Sequence, residues 1–327
     1  MAGRQVHRRS FGCAPLAPGW GSAYRDGIVI TRTLSCLCLL AACTLPAACV
    51  PAVPQHDATA PAAPPPDAPP SDASPPDRPR PSFVSLNPCL DEILVEIAAP
   101  EQILALSHYS RQPGGSRMDP GVAARFAATG GTAEEVIALA PDIVLASSFI
   151  APSTKSALER AGLRVESFAS PRSIAESAQQ VARIGEIGGR RGPAQALASA
   201  IMTLPRSRSR GRRGGPSALL WQPGQIVAGQ QTIINELIRE AGFASYAAER
   251  ALEQADYIAL ETLLSDPPDL LLIAGDSIGQ RHRALRALAG TRVEMFEPTL
   301  LYCGGPTVIA ARARLRDARK TYSAHAP

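Results

Sequence analysis

The sequence predicts an α/β protein made of two doubly wound parallel-sheet lobes joined by a helical connector. Three observations carry this reading. From Phe83 onward, short apolar runs alternate with stretches of helical period. One pattern occurs twice, a glutamate seven residues ahead of Pro-Asp followed by an apolar strand. A long helical-period segment separates the two copies. Continuous apolar strands alternating with helices imply parallel sheets covered on both faces.

Each copy opens on an apolar strand, FVSLNP (Phe83–Pro88) in the first and ALLWQP (Ala218–Pro223) in the second. A helix follows in each. Ile93, Leu94 and Ile97 share a face in the first, and Ile233, Ile234, Leu237 and Ile238 in the second. Glu134 then precedes Pro141-Asp142 and the strand Ile143–Ala146, as Glu261 precedes Pro268-Asp269 and the strand Leu270–Ile273. GLRVESF (Gly162–Phe168) and GTRVEMF (Gly290–Phe296) close the units. Their glycines suit a left-handed helix end, and their alternating residues suit a strand. In the first unit Thr132 and Glu135 read as a capping box. Glu134 then lies exposed in the first helical turn, while Val136, Ile137 and Leu139 form the buried face. Ala259 stands where the second unit would want a cap.

Between the copies, Ile174, Ala178, Val181, Ala182, Ile184 and Ile187 keep a helical period, resumed by Ala194, Leu197, Ala198 and Ile201. Gly188-Gly189 and Gly192-Pro193 interrupt it, giving either two helices or one kinked helix. The expected divisions are a leader at 1–49, a linker at 50–82, a first lobe at 83–172, the connector at 173–205 and a second lobe at 216–327. In the leader, Arg32 precedes an apolar core of about ten residues, too short to span a membrane and suited to an export signal. Leu40-Ala41-Ala42-Cys43 resembles a bacterial lipobox, which makes Cys43 the candidate for lipidation; Cys49 is a poorer second, and an ordinary cleaved signal is the alternative. The Pro/Ala-rich linker can bury no core and suits a stiff spacer.

Several function classes are disfavoured. The net charge of +4 gathers in the leader and in the run Arg206–Arg213, which reads as a solvated loop and gives no nucleic-acid surface. Ser85, Asp91 and His108 could be imagined as a hydrolytic set, yet no Gly-x-Ser-x-Gly elbow, P-loop or dinucleotide fingerprint is present. Past the linker only His108, His282 and His325 remain, without a pair at helical spacing, so no direct metal site and no resident cofactor are expected.

SLNPCLDE (Ser85–Glu92), the paired Glu…Pro-Asp-strand segments and Cys303-Gly304-Gly305-Pro306, in this order, resemble the iron-siderophore and cobalamin class of ABC-importer substrate-binding proteins, from about Ser82 to Arg319. The resemblance implies two lobes joined by one long helix and a ligand held between them. It implies a metal chelate as cargo: a ferric siderophore, a cobalamin or other corrinoid, or haem. It implies a permease and ATPase complex as partner, with Glu134 and Glu261 docking on the permease. A lipid-anchored monomer in the periplasm follows; a tethered receptor of the same fold without transport is the alternative.

In doubly wound sheets ligands bind beyond the carboxyl ends of the strands. That rule selects Asn87, Tyr109, Arg111 and Phe149 in the first lobe, and Trp221, Gln222, Asp276 and Tyr302 in the second. The set offers rings to stack on and an arginine for an anionic edge. With Trp20 in the leader, Trp221 would be the sole tryptophan of the mature chain and its emission a reporter of cargo. Cys89 and Cys303 fall near the same cleft, one on each lobe. Spacing leaves open whether they form a disulfide or stay free thiols.

Overall fold

The computed structural model of the chain describes residues 79–203 and 215–324. The leader with Cys43 and Trp20, most of the linker, the arginine run at 206–213 and His325 lie outside the described residues. The described residues fall in one compact unit.

Lobe 1 runs β1 (Phe83–Ser85), α1 (Pro88–Ile97), β2 (Ile103–Ser107), α2 (Pro120–Ala123), β3 (Ala128–Thr129), α3 (Ala133–Leu139), β4 (Ile143–Ser147), α4 (Pro152–Arg160) and β5 (Arg164–Phe168). The connector is α5 (Ile174–Ile187) and α6 (Arg191–Met202). Lobe 2 runs β6 (Ser217–Trp221), α7 (Ile233–Glu240), β7 (Ala244–Ser245), α8 (Tyr246–Glu249), α9 (Leu260–Ser265), β8 (Leu270–Ile273), α10 (Arg283–Arg286), β9 (Arg292–Met295) and α11 (Pro306–Ala324). The strand orders are β3-β2-β1-β4-β5 and β7-β6-β8-β9, and every pairing is parallel. The winding reverses between β1 and β4 in one sheet and between β6 and β8 in the other. Those two reversals place the crevices.

The repeated Pro-Asp has a physical reason. In lobe 1, Asp142 Oδ2 accepts from the Ser82 amide at 2.7 Å and the Ser82 hydroxyl at 2.7 Å, and Ser82 Oγ in turn accepts from the Asp142 amide at 3.1 Å. In lobe 2, Asp269 Oδ2 accepts from the Ser217 amide at 2.6 Å and hydroxyl at 2.9 Å, and Ser217 Oγ accepts from the Asp269 amide at 2.9 Å. Each clasp fastens the start of the first strand to the start of its central neighbour. The orphan backbone groups at the strand entrance are thereby satisfied.

Two local expectations change. The buried face of α3 is narrower than its apolar residues suggest: Val136 is buried, but Ile137 and Leu139 are 41% and 36% exposed. A helix of seven residues presents only Ala133 and Val136, one turn apart, to the sheet. The capping box is half formed. Thr132 Oγ1 accepts from the Glu135 amide at 3.3 Å, while the Glu135 carboxylate turns to the Thr129 hydroxyl and the Gly130 amide, both at 2.7 Å. Those bonds hold its carboxyl below the usual range. Ala259 caps α9 with no side-chain bond, as the sequence suggests.

The connector is two helices, the first of the alternatives the glycines allow, where the resemblance implied one long helix. Gly188 caps α5 and Gly189, at φ +66°, turns the chain. α6 then folds back so closely that a Cβ on Gly185 would stand 2.1 Å from that of Ala194. This pair, with α1, α7 and α11, makes one helical layer shared by both sheets. Phe83 and Leu145 of lobe 1 and Leu220 and Leu272 of lobe 2 belong to one apolar cluster with Ile93, Val181, Ile201, Leu237 and Leu315. The outer sheet faces carry smaller separate cores, around Val84 and Val136 in lobe 1 and around Trp221 and Leu271 in lobe 2.

A single stretch, Cys303–Thr307, knits lobe 2 to α1 and α5. Cys303 is disulfide-bonded to Cys89. The Gly305 amide donates to Ser177 Oγ at 2.7 Å, and Thr307 Oγ1 donates to the buried Glu92 carboxylate at 2.6 Å. Glycine is required twice. A Cβ on Gly304 would lie 2.8 Å from Pro171 and Ser177, and one on Gly305, at φ +61°, would lie 2.5 Å from Ile93. Pro306 then starts α11, where its missing N–H costs nothing.

The Ser82 bonds hold the Asp142 carboxyl below the usual range. Its contribution is therefore present above the unfolded carboxyl range, at about pH 4, and is lost as pH falls through the lower folded value. Asp142→Asn is expected to cost on the order of 1 kcal/mol near neutrality, because the site is exposed. The variant should converge with the parent in acid-denaturation curves once pH falls through that lower folded value. An equal deficit at every pH would contradict this.

Candidate functional site

The strand ends of lobe 2 and the exit from lobe 1 enclose a cavity of about 320 Å³. Arg172 comes from the segment after β5, Gln222 and Ile226 from the segment after β6, and Gln231 from just before α7. Gln254 and Tyr302 also line it. The Tyr302 hydroxyl donates to Gln222 Oε1 at 2.8 Å. Desolvation raises the Tyr302 phenol above its ordinary value, so it stays a donor at neutral pH. A neutral hydroxyl and a primary amide can read polar edges of a ligand whose body rests on Ile226.

Of the residues expected to meet a ligand, Gln222 and Tyr302 come together here. Tyr109, Arg111 and Phe149 do not line this cavity; they stand at the carboxyl ends of β2 and β4. Tyr109 is 50% and Phe149 84% exposed. Tyr109 packs on the His108 ring at 4.1 Å between centroids. The Arg111 guanidinium donates to the Phe126 carbonyl, which anchors the side chain at the surface. Asp276 is exposed after β8.

Two expectations are corrected. Trp221 is 1% exposed. It lies in the outer core of lobe 2, and its Nε1 donates to the Ile258 carbonyl at 3.0 Å. Strand alternation sends its ring away from the crevice although its position lies at the strand end. Asn87 is a helix cap: its Oδ1 accepts from the amides of Cys89 at 2.9 Å and Leu90 at 3.3 Å, which occupies that oxygen. Arg172, Gln231 and Gln254 were missed. Arg172 leaves the edge strand β5 and Gln254 lies in a loop with no sequence signal, so only the fold brings them together.

Glu134 and Glu261 are both exposed in the first turns of α3 and α9, in equivalent places on the two lobes. Among the described residues neither carboxylate has a hydrogen-bond or ion-pair partner. No group of three or more potential metal ligands occurs among the described residues, and no helix among them is long and apolar enough to cross a membrane.

A family model described as periplasmic binding protein matches residues 83–292. Solved structures share the fold. The periplasmic heme-binding protein RhuT from Roseiflexus sp. RS-1 superposes with a TM-score of 0.58 at 20% identity, covering 73% of this chain and 99% of its own. The heme-binding protein HutB of Vibrio cholerae gives 0.60 at 17%, covering 72% and 98%. The vitamin B12 binding protein BtuF of Vibrio cholerae gives 0.57 at 17%, covering 75% and 98%. No curated protein matched by sequence.

The burial of Trp221 yields a test. Trp221→Phe should cost about 1–2 kcal/mol in denaturant unfolding, through the lost bond to Ile258 and lost packing, with cargo affinity unchanged. A large affinity loss without a stability loss would return Trp221 to the cleft.

Proposed function

Because the chain belongs to the periplasmic binding protein family, whose members are binding proteins of transporters, we propose that it captures a metal chelate at the crevices of its two lobes and hands it to an ABC permease. The observation that carries this is the placement of exposed rings at the strand ends of both lobes: Tyr109 and Phe149 on one, and Tyr302, 62% exposed, on the other. Solvated rings so placed suit the flat face of a conjugated macrocycle. Haem or a corrinoid is therefore favoured over a ferric siderophore. The names of the similar structures, heme-binding and vitamin B12 binding, support the same class. Tyr302 and Gln222 would meet polar edges of the cargo, and Arg111 or Arg172 an acidic one. Macrocycle atoms would be recognised through the organic ligand, with no metal site on the protein.

Delivery belongs to the same proposal. Glu134 and Glu261 offer two unpaired carboxylates at equivalent places, suited to arginines on two related permease subunits. The chain would act as a monomer in the periplasm, held at a membrane by lipid on Cys43. Tethered reception without transport is the second reading, and uptake separates the two.

Haemin, cyanocobalamin and ferrichrome titrated into the protein, with absorbance and competition readouts, test the cargo. One of the two macrocycles should bind at micromolar Kd or tighter. Binding of ferrichrome alone would contradict the macrocycle, and binding of none would contradict capture. In the same strain background, Glu134→Ala with Glu261→Ala should leave the titration unchanged and abolish uptake; undiminished uptake would overturn the docking role. Recovery of Cys43→Ser in the membrane fraction would overturn the lipid anchor.

A further inference from the structure

One acidic side chain is buried with one oxygen fully bonded and the other without a partner. Asp91 sits in the first turns of α1, two residues after disulfide-bonded Cys89, and is fully buried. Its Oδ2 accepts from the Ser107 amide at 3.0 Å and from the Ser110 hydroxyl at 2.6 Å. Its Oδ1 is buried with no hydrogen-bond partner. Ser107 and Ser110 bracket and belong to the one-turn segment that displays Tyr109 and Arg111. An asparagine would accept the same two bonds without burying an acid, so packing alone does not account for this residue.

We propose that Asp91 is the positioning residue of the lobe 1 cargo turn, fastening His108–Arg111 to α1 so that Tyr109 and Arg111 are held where the ligand meets them. This rests on the cargo reading above only for the identity of what the turn meets; the fastening itself is read from the bonds. Because the Cys89–Cys303 bond holds the same end of α1 beside Tyr302, one short helix end fixes ligand residues of both lobes.

The fastening is sensitive to protonation. Burial is the largest cause raising the Asp91 carboxyl to about 8, against the lowering influence of the Ser110 hydroxyl, the nearby Ser85 hydroxyl and the Ser107 amide. Glu92, next on α1, also disfavours its charge. The polar and charged groups of the neighbouring segments have other partners: His108 Nδ1 faces the Thr129 carbonyl, Arg111 the Phe126 carbonyl, and Arg117 lies 3.7 Å from Glu92. A raised carboxyl favours the folded turn while protonated, and that advantage shrinks as pH rises from the unfolded value through about 8. Above that range a buried charge with an unpartnered oxygen must draw water in, and the turn loosens.

Amide hydrogen exchange on the full chain tests this without a ligand. After correction for the intrinsic rate, protection of the Ser107–Arg111 amides in the wild type should fall roughly thirtyfold between about pH 6.5 and pH 9. Asp91→Asn should keep its protection at both. Asp91→Ala should lose it at both, and Ser110→Ala should lose part of it while keeping the pH dependence. Wild-type protection that does not change with pH, or full protection in Ser110→Ala, would overturn the proposal even if Asp91→Ala fails to fold. With haemin and cyanocobalamin as probes, wild-type affinity for whichever binds should drop about tenfold over the same range, and that of Asp91→Asn should not. An equal drop in both proteins would overturn the link to the ligand. Absence of binding by either probe would count against the cargo reading, and the exchange profile would still decide the role of Asp91.

Discussion

The architecture depends on the stretch from Cys303 to Thr307. Two sheets with equivalent windings could form independent lobes with nothing to set their relation. Here a disulfide, a hydrogen bond from the Gly305 amide to Ser177 and one from the Thr307 hydroxyl to buried Glu92 fall within five consecutive residues. They act on the end of α1, which is itself capped by Asn87 and carries Asp91. The two glycines let the backbone come within contact distance of Ile93 and Pro171. Any side chain there would push lobe 2 away from the shared helical layer. The buried pair of Arg312 with Glu240, at 2.7 Å, and the bond from the Ile174 amide to Glu236, at 2.9 Å, reinforce the joint farther along α5, α7 and α11. A binding protein with this joint meets its cargo with lobes already placed, which reduces the ordering cost of capture.

The fold was legible in the sequence because its signals are local. Apolar strand runs, glycine helix ends and the spacing of Glu134 and Glu261 from Pro-Asp are set by short-range chemistry, and the Ser–Asp clasps show why the Pro-Asp pair recurs. The two-helix connector was also within reach, since Gly188-Gly189 offers a turn as readily as a kink. The exposure of Ile137 and Leu139 was not. Apolar identity says that a residue can be buried, whereas a helix of seven residues has room to bury only one narrow stripe.

The site was legible only by position. Strand ends pointed to Gln222 and Tyr302, which the fold does bring together. The same rule chose Trp221 and Asn87, because it locates a backbone position and is silent on which way a side chain turns. Trp221 turns into the core by strand alternation, and Asn87 is consumed by the helix it starts. Arg172 and Gln254 depend on contacts between segments distant in sequence. Asp91 stood out in the sequence only beside Ser85 and His108 as an imagined hydrolytic set, whereas its significance lies in burial and in an unpartnered oxygen.

The joint is tested most directly by its covalent element. Non-reducing peptide mapping of the full chain should recover Cys89 linked to Cys303, and calorimetry should show the bond stabilising both lobes together. Chain-entropy reasoning for two cysteines 214 residues apart gives roughly 5 kcal/mol. Reduction, or Cys303→Ser, should therefore lower the Tm of a single cooperative transition by many degrees. An unchanged Tm after complete reduction, or a Cys89 peptide carrying a free thiol in the oxidised protein, would contradict the account.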